Sequence, residues 1–236
     1  FDADGQVVPT DDMGIVFILV PGGSFTMGDP RADATPTHDV TLDPYFLAKF
    51  ELTQSQWTRI SARNPSFGRG GDAAGVRPVD GTTWLEVYNA AYRFGLLLPT
   101  ESQWEYACRA GTTGLWSSGP NAASLRGAAN LRPELGFDEF PGSSPVGAFD
   151  ANPWGFHDLH GNVAEWCRDF IDRYPGNPRP GDGFRTPVAT GTLLRSIRGG
   201  GWRSNATEAA SPFRGGDDAG NRSTDVGVRF SRAVAP

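Results

Sequence analysis

Two cysteines, three histidines and one loop carrying two carboxylates are the groups in this sequence from which chemistry could be made. Cys108 and Cys167 are too few for a disulfide framework and lack zinc-ligand spacing. Spacing does not decide whether they meet and pair. His38 falls in a probable strand, and His157 and His160 flank Asp158 in a loop. An i, i+3 histidine pair can hold a metal, but no third ligand accompanies it. There is no Gly-x-Ser-x-Gly elbow and no Gly-x-x-x-x-Gly-Lys phosphate loop. The stretch Asp158-Leu-His-Gly161-Asn-Val163-Ala-Glu165 mixes hard oxygen donors with turns, which is what calcium requires. On its own it reads more simply as a turn with a satisfied carboxylate. From the residues alone, no catalytic centre emerges.

The elements that would position these groups are short. Thirty-one Gly, nineteen Pro and seven Trp in 236 residues describe a loop-rich chain with aromatic anchors. A net charge of −6 excludes a general nucleic-acid binder, which needs a basic face. Lys49 is the only lysine, a bias that a GC-rich genome explains. No apolar run reaches the roughly eighteen residues of a membrane span, and no leader is evident. The chain opens at Phe1, which reads as trimmed or processed, so localisation stays open.

Residues 1–13 read as a polar tail, and 14–236 as a single domain. Ile15 to Val20 predicts a strand, Pro21-Gly-Gly23 a turn, and Ser24 to Met27 a second strand forming a hairpin with the first. His38 to Leu42 alternates as a third. Thr53 caps a helix to about Arg63, with Trp57 and Ile60 on one face, and Thr83 caps a second, from Trp84 to about Phe94, burying Val87, Ala91 and Phe94. Thr100-Glu-Ser-Gln103 is a capping box opening a third helix. Residues 111–153 are irregular, and strands resume at Glu165–Asp169, Leu194–Arg198 and Val226–Phe230. This order gives an α+β fold.

Eight phrases carry a resemblance: Pro21-Gly-Gly-Ser-Phe-Thr-Met-Gly28, Glu51 to Trp57, Pro78 to Trp84, Leu98 to Ala107, Pro145-Val-Gly147, Asn152 to Trp166, Arg198-Gly-Gly-Gly-Trp202 and Val226-Gly-Val-Arg229. In this order they resemble the formylglycine-generating-enzyme (sulfatase-modifying factor) superfamily from residue 15 to 230, which implies a C-type-lectin-like fold. Trp84, Trp104, Trp154 and Trp166 are then expected as packing anchors. The resemblance also implies a copper site on two thiolates, but Ser204 and Ala209 stand at those positions and neither can become a soft sulfur ligand. A second branch uses three histidines from an added helical domain that this chain lacks. Neither copper nor iron is therefore expected.

What the resemblance does imply is structural calcium. One ion maps to the Asp158 and Glu165 side chains with the Gly161 and Val163 carbonyls. A second maps to the Asn130 and Asp138 side chains with the Leu131 and Phe140 carbonyls.

The segment from Gly201 to Asp225 is polar and aperiodic. It resembles the C-terminal segment of the variable proteins of diversity-generating retroelements, of bacterial or phage origin, in which scattered positions form a ligand-binding face. Trp202, Ala206, Arg214, Arg222 and Arg229 are then the fixed frame. Gly201, Arg203, Ser204, Asn205, Thr207, Phe213, Gly215, Asp217, Ala219, Ser223 and Thr224 are the variable face, adaptable as a paratope is. The partner implied is a protein or surface ligand and not nucleic acid. A degenerate or regulatory module and an unrecognised enzyme remain the alternatives.

Overall fold

A computed structural model describes residues 5–31, 36–71, 73–171, 178–185 and 194–234. Three threonines start the three helices. Thr53, Thr83 and Thr100 each accept the N–H three residues on, and the side chains of Gln56, Glu86 and Gln103 return the bond to the cap. These reciprocal boxes open α1 (Gln54–Ser61), α2 (Trp84–Arg93) and α3 (Glu101–Arg109). α1 and α3 stop at Ala62 (φ 60°) and Ala110 (φ 45°), whose left-handed backbone ends the hydrogen-bond ladder. Trp57 is buried on α1, and Val87 and Ala91 on α2. Phe94, expected beside them, is 54% exposed because it lies at the C-cap, past the last residue that shares their face.

The strands form three small sheets. β1 (Phe17–Val20) pairs antiparallel with β4 (Tyr45–Ala48), which pairs with β9 (Ser231–Ala233). β2 (Gly23–Met27) pairs with β3 (His38–Leu42). The expected hairpin of β1 with β2 does not form. The turn at Gly22 instead drives the chain against Leu42 and Pro44, where a Cβ would lie 2.8 Å from the Leu42 carbonyl oxygen. The third sheet has the order β7 (Gly215–Asp218), β6 (Leu194–Arg198), β5 (Ala164–Phe170), β8 (Val226–Gly227), with β8 parallel to β5. The expected strand at Val226–Phe230 is therefore a two-residue ladder followed by buried irregular chain. Residues 111–153 hold only two short 3-10 turns. The result is a loop-rich α+β, C-type-lectin-like architecture.

The end of the segment expected as a tail, residues 1–13, is bonded to α1. The Arg59 guanidinium donates to the carbonyls of Asp11 and Met13, and Gln56 Nε2 donates to Gly14 O at 2.9 Å. No helix among the described residues is long and apolar enough to cross a membrane.

Three apolar clusters fill the interior, the first around Trp84 and Trp166, the second around Trp104, the third around Trp116 and Leu131. Trp154, also expected as an anchor, is only half-buried. Between the clusters run buried ion pairs. Arg229 is fully enclosed, and every N–H of its guanidinium has an acceptor: Glu165 at 2.7 and 2.9 Å, and the carbonyls of Ala48, Lys49 and His157 at 2.8–2.9 Å. Trp104 Nε1 completes the Glu165 carboxylate at 2.7 Å. Arg198 reaches Glu105 at 2.5 Å and Ser211 O at 2.8 Å. Removing one partner of such a pair strands a buried charge, at a cost of about 3–5 kcal/mol. Arg229→Met is expected to lose about that much in denaturant unfolding, whereas Arg31→Ala, at an exposed pair, stays within about 0.5 kcal/mol of wild type. A loss below about 1 kcal/mol for Arg229→Met would contradict this reading of the core.

Candidate functional site

The C-terminal loop leaves β6 through Gly199 and Gly200, whose φ values of 91° and 66° only glycine adopts without strain. Trp202 then closes the loop at its neck. Its N–H donates to Asn162 O at 2.7 Å and its indole Nε1 to Thr224 O at 3.1 Å. Arg214 donates twice to Glu101, at 2.8 and 2.5 Å. Burial pushes Glu101 up, but Arg214 and then Arg198 outweigh it and hold the carboxyl below the usual carboxylate range. Arg222 donates to Gly81 O at 2.6 Å and to Glu86 at 2.7 Å. Ala206 gives its carbonyl to Trp116 Nε1. Of the five residues expected as frame, Arg214 is thus held by α3, Arg222 by the first turn of α2 and its approach, and Arg229 by β5, while Trp202 is held by Asn162 and Thr224 and Ala206 by Trp116.

Between these anchors lies a concavity of about 270 Å³. Six of the expected face positions line it: Gly201, Ser204, Phe213, Gly215, Asp217 and Ser223. Glu208 and Asp225 join them, and Ile197 and Val226 add apolar wall. Arg203 and Thr207 are exposed beside it, and Asn205, Ala219 and Thr224 are half-buried. The lining bears three carboxylates and no lysine, arginine or histidine.

Several of these positions are less free than the sequence suggests. Gly201 is buried, and a Cβ there would lie 2.7 Å from Asp225 O, so no larger residue fits. A Cβ at Gly215 would lie 2.8 Å from the Ile197 side chain. Asn205 caps the following turn, accepting from Thr207 N and Glu208 N at 2.9 and 3.1 Å, while Glu208 accepts Asn205 N at 2.8 Å. Phe213 packs on the third apolar cluster, and Ala219 on the first. Packing and main-chain bonds therefore already use these five positions, whether or not they also border the concavity.

The positions of the missing thiolates are equally occupied by structure. Ser204 Oγ accepts Gly201 N at 3.2 Å, and Ala209 is fully buried. Cys108 and Cys167 are both buried and unpaired. Cys108 lies 3.7 Å from His160 Nε2, yet this is no nucleophile pair. Burial pushes the thiol up to about 12, and burial pulls His160 down to about 4. Both nitrogens of His160 are spent, on Ala209 O at 2.7 Å and on Ser117 N at 3.0 Å. His157 Nδ1 contacts Phe149 O, and His38 Nε2 faces Arg185. The three histidines do not converge.

Around residue 160 the carboxylates divide. Glu165, expected as a calcium ligand, serves Arg229 and Trp104. Asp158, at φ 61°, accepts Gly147 N at 2.7 Å through Oδ2, and its buried Oδ1 has no hydrogen-bond donor. Burial raises Asp158 to about 6. Asn130 Oδ1 is a second buried acceptor without a donor. Asp138 accepts Leu131 N and Phe140 N at 3.0 and 2.9 Å, drawing together the residues expected to offer carbonyls. No group of three His, Cys, Asp or Glu side chains converges among the described residues, so an ion here would rest mainly on carbonyls and one or two side chains. Sequence reasoning missed Glu51, which is buried and accepts Asn162 Nδ2 at 2.6 Å and Val163 N at 3.0 Å. Burial, then Asp158 and Glu165, push Glu51 well above the usual carboxylate range. No local pattern marks it, since its partners are more than a hundred residues away.

Among known proteins, the chain is 27% identical to the chaperone protein LppX of Paenibacillus barcinonensis over 97% of this chain and 92% of that one. It is 28% identical to the formylglycine-generating enzyme of Mycobacterium tuberculosis, over 77% and 84%. Against the serine/threonine-protein kinase pkn1 of Chlamydia pneumoniae it is 26% identical over 92% of this chain, spanning only 38% of that protein's length. Solved structures share the fold, two of them as follows. Treponema denticola variable protein 1 has a TM-score of 0.84 at 23% identity, with 96% of this chain and 98% of that one covered. PvdO from Pseudomonas aeruginosa has a TM-score of 0.76 at 25% identity, over 92% and 94%. The model of the sulfatase-modifying factor enzyme 1-like domain matches residues 6–234, and with that match spanning nearly its whole length, this chain belongs to that family.

Proposed function

We propose that this chain is a ligand-binding member of its family, presenting the concavity between residues 200 and 226 to a protein or surface ligand. The observation that carries the reading is a division of labour inside one loop. Trp202, Arg214 and Arg222 spend their polar groups on α3, on the approach to α2 and on the opposite arm of the loop. Between them Arg203 and Thr207 are exposed, while Asp217, Ser223 and Thr224 are half-buried and bond only within the loop or its neighbours, Asp217 to Asn221 and Ser223 to Asp225. A face of this kind can change residues without disturbing its frame, as an adaptable paratope does. The fold shared with Treponema denticola variable protein 1 supports the same reading. The acidic lining disfavours a phosphate-bearing partner. Ser204 and Ala209 at the thiolate positions weigh against copper-dependent oxidation of a cysteine.

We propose further that calcium stabilises the loops at Asp158 and Asn130. Each presents a buried oxygen with no donor, which suits a hard cation. Asp158 would act with the Gly161 and Val163 carbonyls. Asn130 would act with Asp138 and the Leu131 and Phe140 carbonyls. Since Arg229 already neutralises Glu165, Asp158 supplies the side-chain charge at the first site.

Sequencing copies of this gene from related isolates is expected to find substitutions concentrated at Arg203, Thr207, Asp217, Ser223 and Thr224, with Trp202, Arg214 and Arg222 unchanged. Differences scattered evenly along the chain would count against a variable face. For calcium, a native-state ligand adds roughly 2.7 kcal/mol at a hundredfold excess over its Kd. A chelator is therefore expected to lower the melting temperature of wild type, and to do so less in Asp158→Ala and Asn130→Ala. Identical melting with and without chelator, together with no calcium by elemental analysis, would remove the ion from the account.

A further inference from the structure

A larger concavity lies away from the one at the C-terminal loop and shares no lining residue with it. It measures about 610 Å³, within the range of roughly 300–1,000 Å³ typical of small-molecule sites. Three half-buried aromatic rings wall it: Phe25 from β2, Tyr106 from α3 and Trp154 from the loop before β5. Phe25 and Tyr106 lie 5.0 Å apart at 40°, and Tyr106 and Trp154 lie 4.9 Å apart at 78°. Consecutive rings therefore turn a corner and do not form a parallel slot.

The polar groups at this corner are uncharged in effect. Arg109 is the only ionic side chain in the lining, and its guanidinium is consumed by Glu105 at 2.8 and 2.9 Å, Gly28 O at 2.9 Å and Gly114 O at 3.1 Å. Tyr106 also brings a hydroxyl to this corner. It lies over Gly23, where a Cβ would come within 2.5 Å of it, so the glycine makes room for the hydroxyl. The buried Thr112 hydroxyl has no hydrogen-bond partner, and Thr113 adds an exposed hydroxyl. Beyond Arg109 the hollow continues into a second one of about 460 Å³, which shares Gly28, Pro30, Arg109 and Thr113 with it.

We infer that this corner is a second binding site, for an uncharged ring compound with an apolar C–H face and a hydroxylated edge, as in a neutral pyranose sugar. Ring faces carry partial negative charge and attract the weakly positive C–H groups of a puckered ring. Two walls set nearly at right angles receive such a ring better than a flat aromatic, which favours an offset stack against one face. The buried Thr112 hydroxyl, costly to leave without a partner, then meets the ligand's own hydroxyls, with those of Tyr106 and Thr113 beside it. Among the described residues the lining offers no free charge, so an ionic ligand gains nothing from them.

Saturation-transfer NMR on the full chain tests this with glucose, galactose, mannose and N-acetylglucosamine, each at millimolar concentration, beside phenol and indole. At least one sugar is expected to receive saturation at its ring C–H protons. Trp154→Leu is expected to abolish the transfer, and Tyr106→Phe, which keeps the ring, to weaken binding about three- to tenfold through one lost hydrogen bond. Tyr92→Ala, at an exposed position on α2 that lines neither concavity, leaves it unchanged. Melting curves accompany each variant, and if Trp154→Leu is unfolded the Tyr106→Phe comparison decides alone. Transfer to phenol or indole only, transfer to no probe, or a sugar signal that Tyr106→Phe leaves unchanged would overturn the inference. Because the C-terminal face is untouched by these variants, none of these results bears on the ligand proposed there.

Discussion

The pairing of buried guanidinium groups with buried carboxylates is the constraint on which this molecule depends. Arg229 joins Glu165 on β5 to the carbonyls of Ala48, Lys49 and His157, tying together three parts of the chain that share no sheet ladder at that point. On α3, Glu101 and Glu105 lie one turn apart on the face that also buries Trp104. They receive Arg214 and Arg198, with Arg109 closing the far side of Glu105. A charge buried in this way is costly when alone and tolerable only when matched in geometry. Each pair therefore fixes a register more than it adds stability. With only short strands and three helices of eight to ten residues, a chain this rich in loops has few other means of setting where its loops lie.

That constraint explains how the C-terminal loop can be both ordered and open. β7 is Gly-Gly-Asp-Asp, a sequence with no strand propensity, yet it pairs with β6 over four residues. Arg214, immediately before it, delivers the segment to that edge by its two bonds to Glu101. Arg222 performs the same service after it, through Gly81 and Glu86. Anchors at both ends hold this edge strand without help from its own propensity. In the proposed reading, recognition falls to exposed residues outside it such as Arg203 and Thr207, whose loss costs the fold little.

Much of this was legible in the sequence, and what was not has physical reasons. The three capping threonines were readable because a cap bonds to residues three positions away, within one window. The frame residues Trp202, Arg214, Arg222 and Arg229 followed from the family resemblance, though nothing local said which carboxylate each would meet. The hairpin of β1 with β2 was misread because the Pro21-Gly-Gly23 turn looks the same whether the chain folds back or crosses over to a distant strand. Gly201 and Gly215 looked like free loop positions. Their limits come from Asp225 O and the Ile197 side chain, which only tertiary packing brings near. Glu51 was invisible for the same reason, since its partners Asn162 and Val163 lie across the fold. The aromatic corner of Phe25, Tyr106 and Trp154 draws one ring from each of three separate phrases, so no single phrase announces it.

The central claim is that one loop separates into a fixed frame and a free face. Saturation substitution of residues 199–226, sorted for folded protein by resistance to proteolysis, addresses it position by position. The account predicts that Arg203, Thr207, Asp217 and Thr224 accept most residues, while Gly201, Trp202, Ala209 and Arg214 accept few or none. Free exchange at Arg214 or Trp202, or refusal of substitution at Arg203 and Thr207, would contradict it.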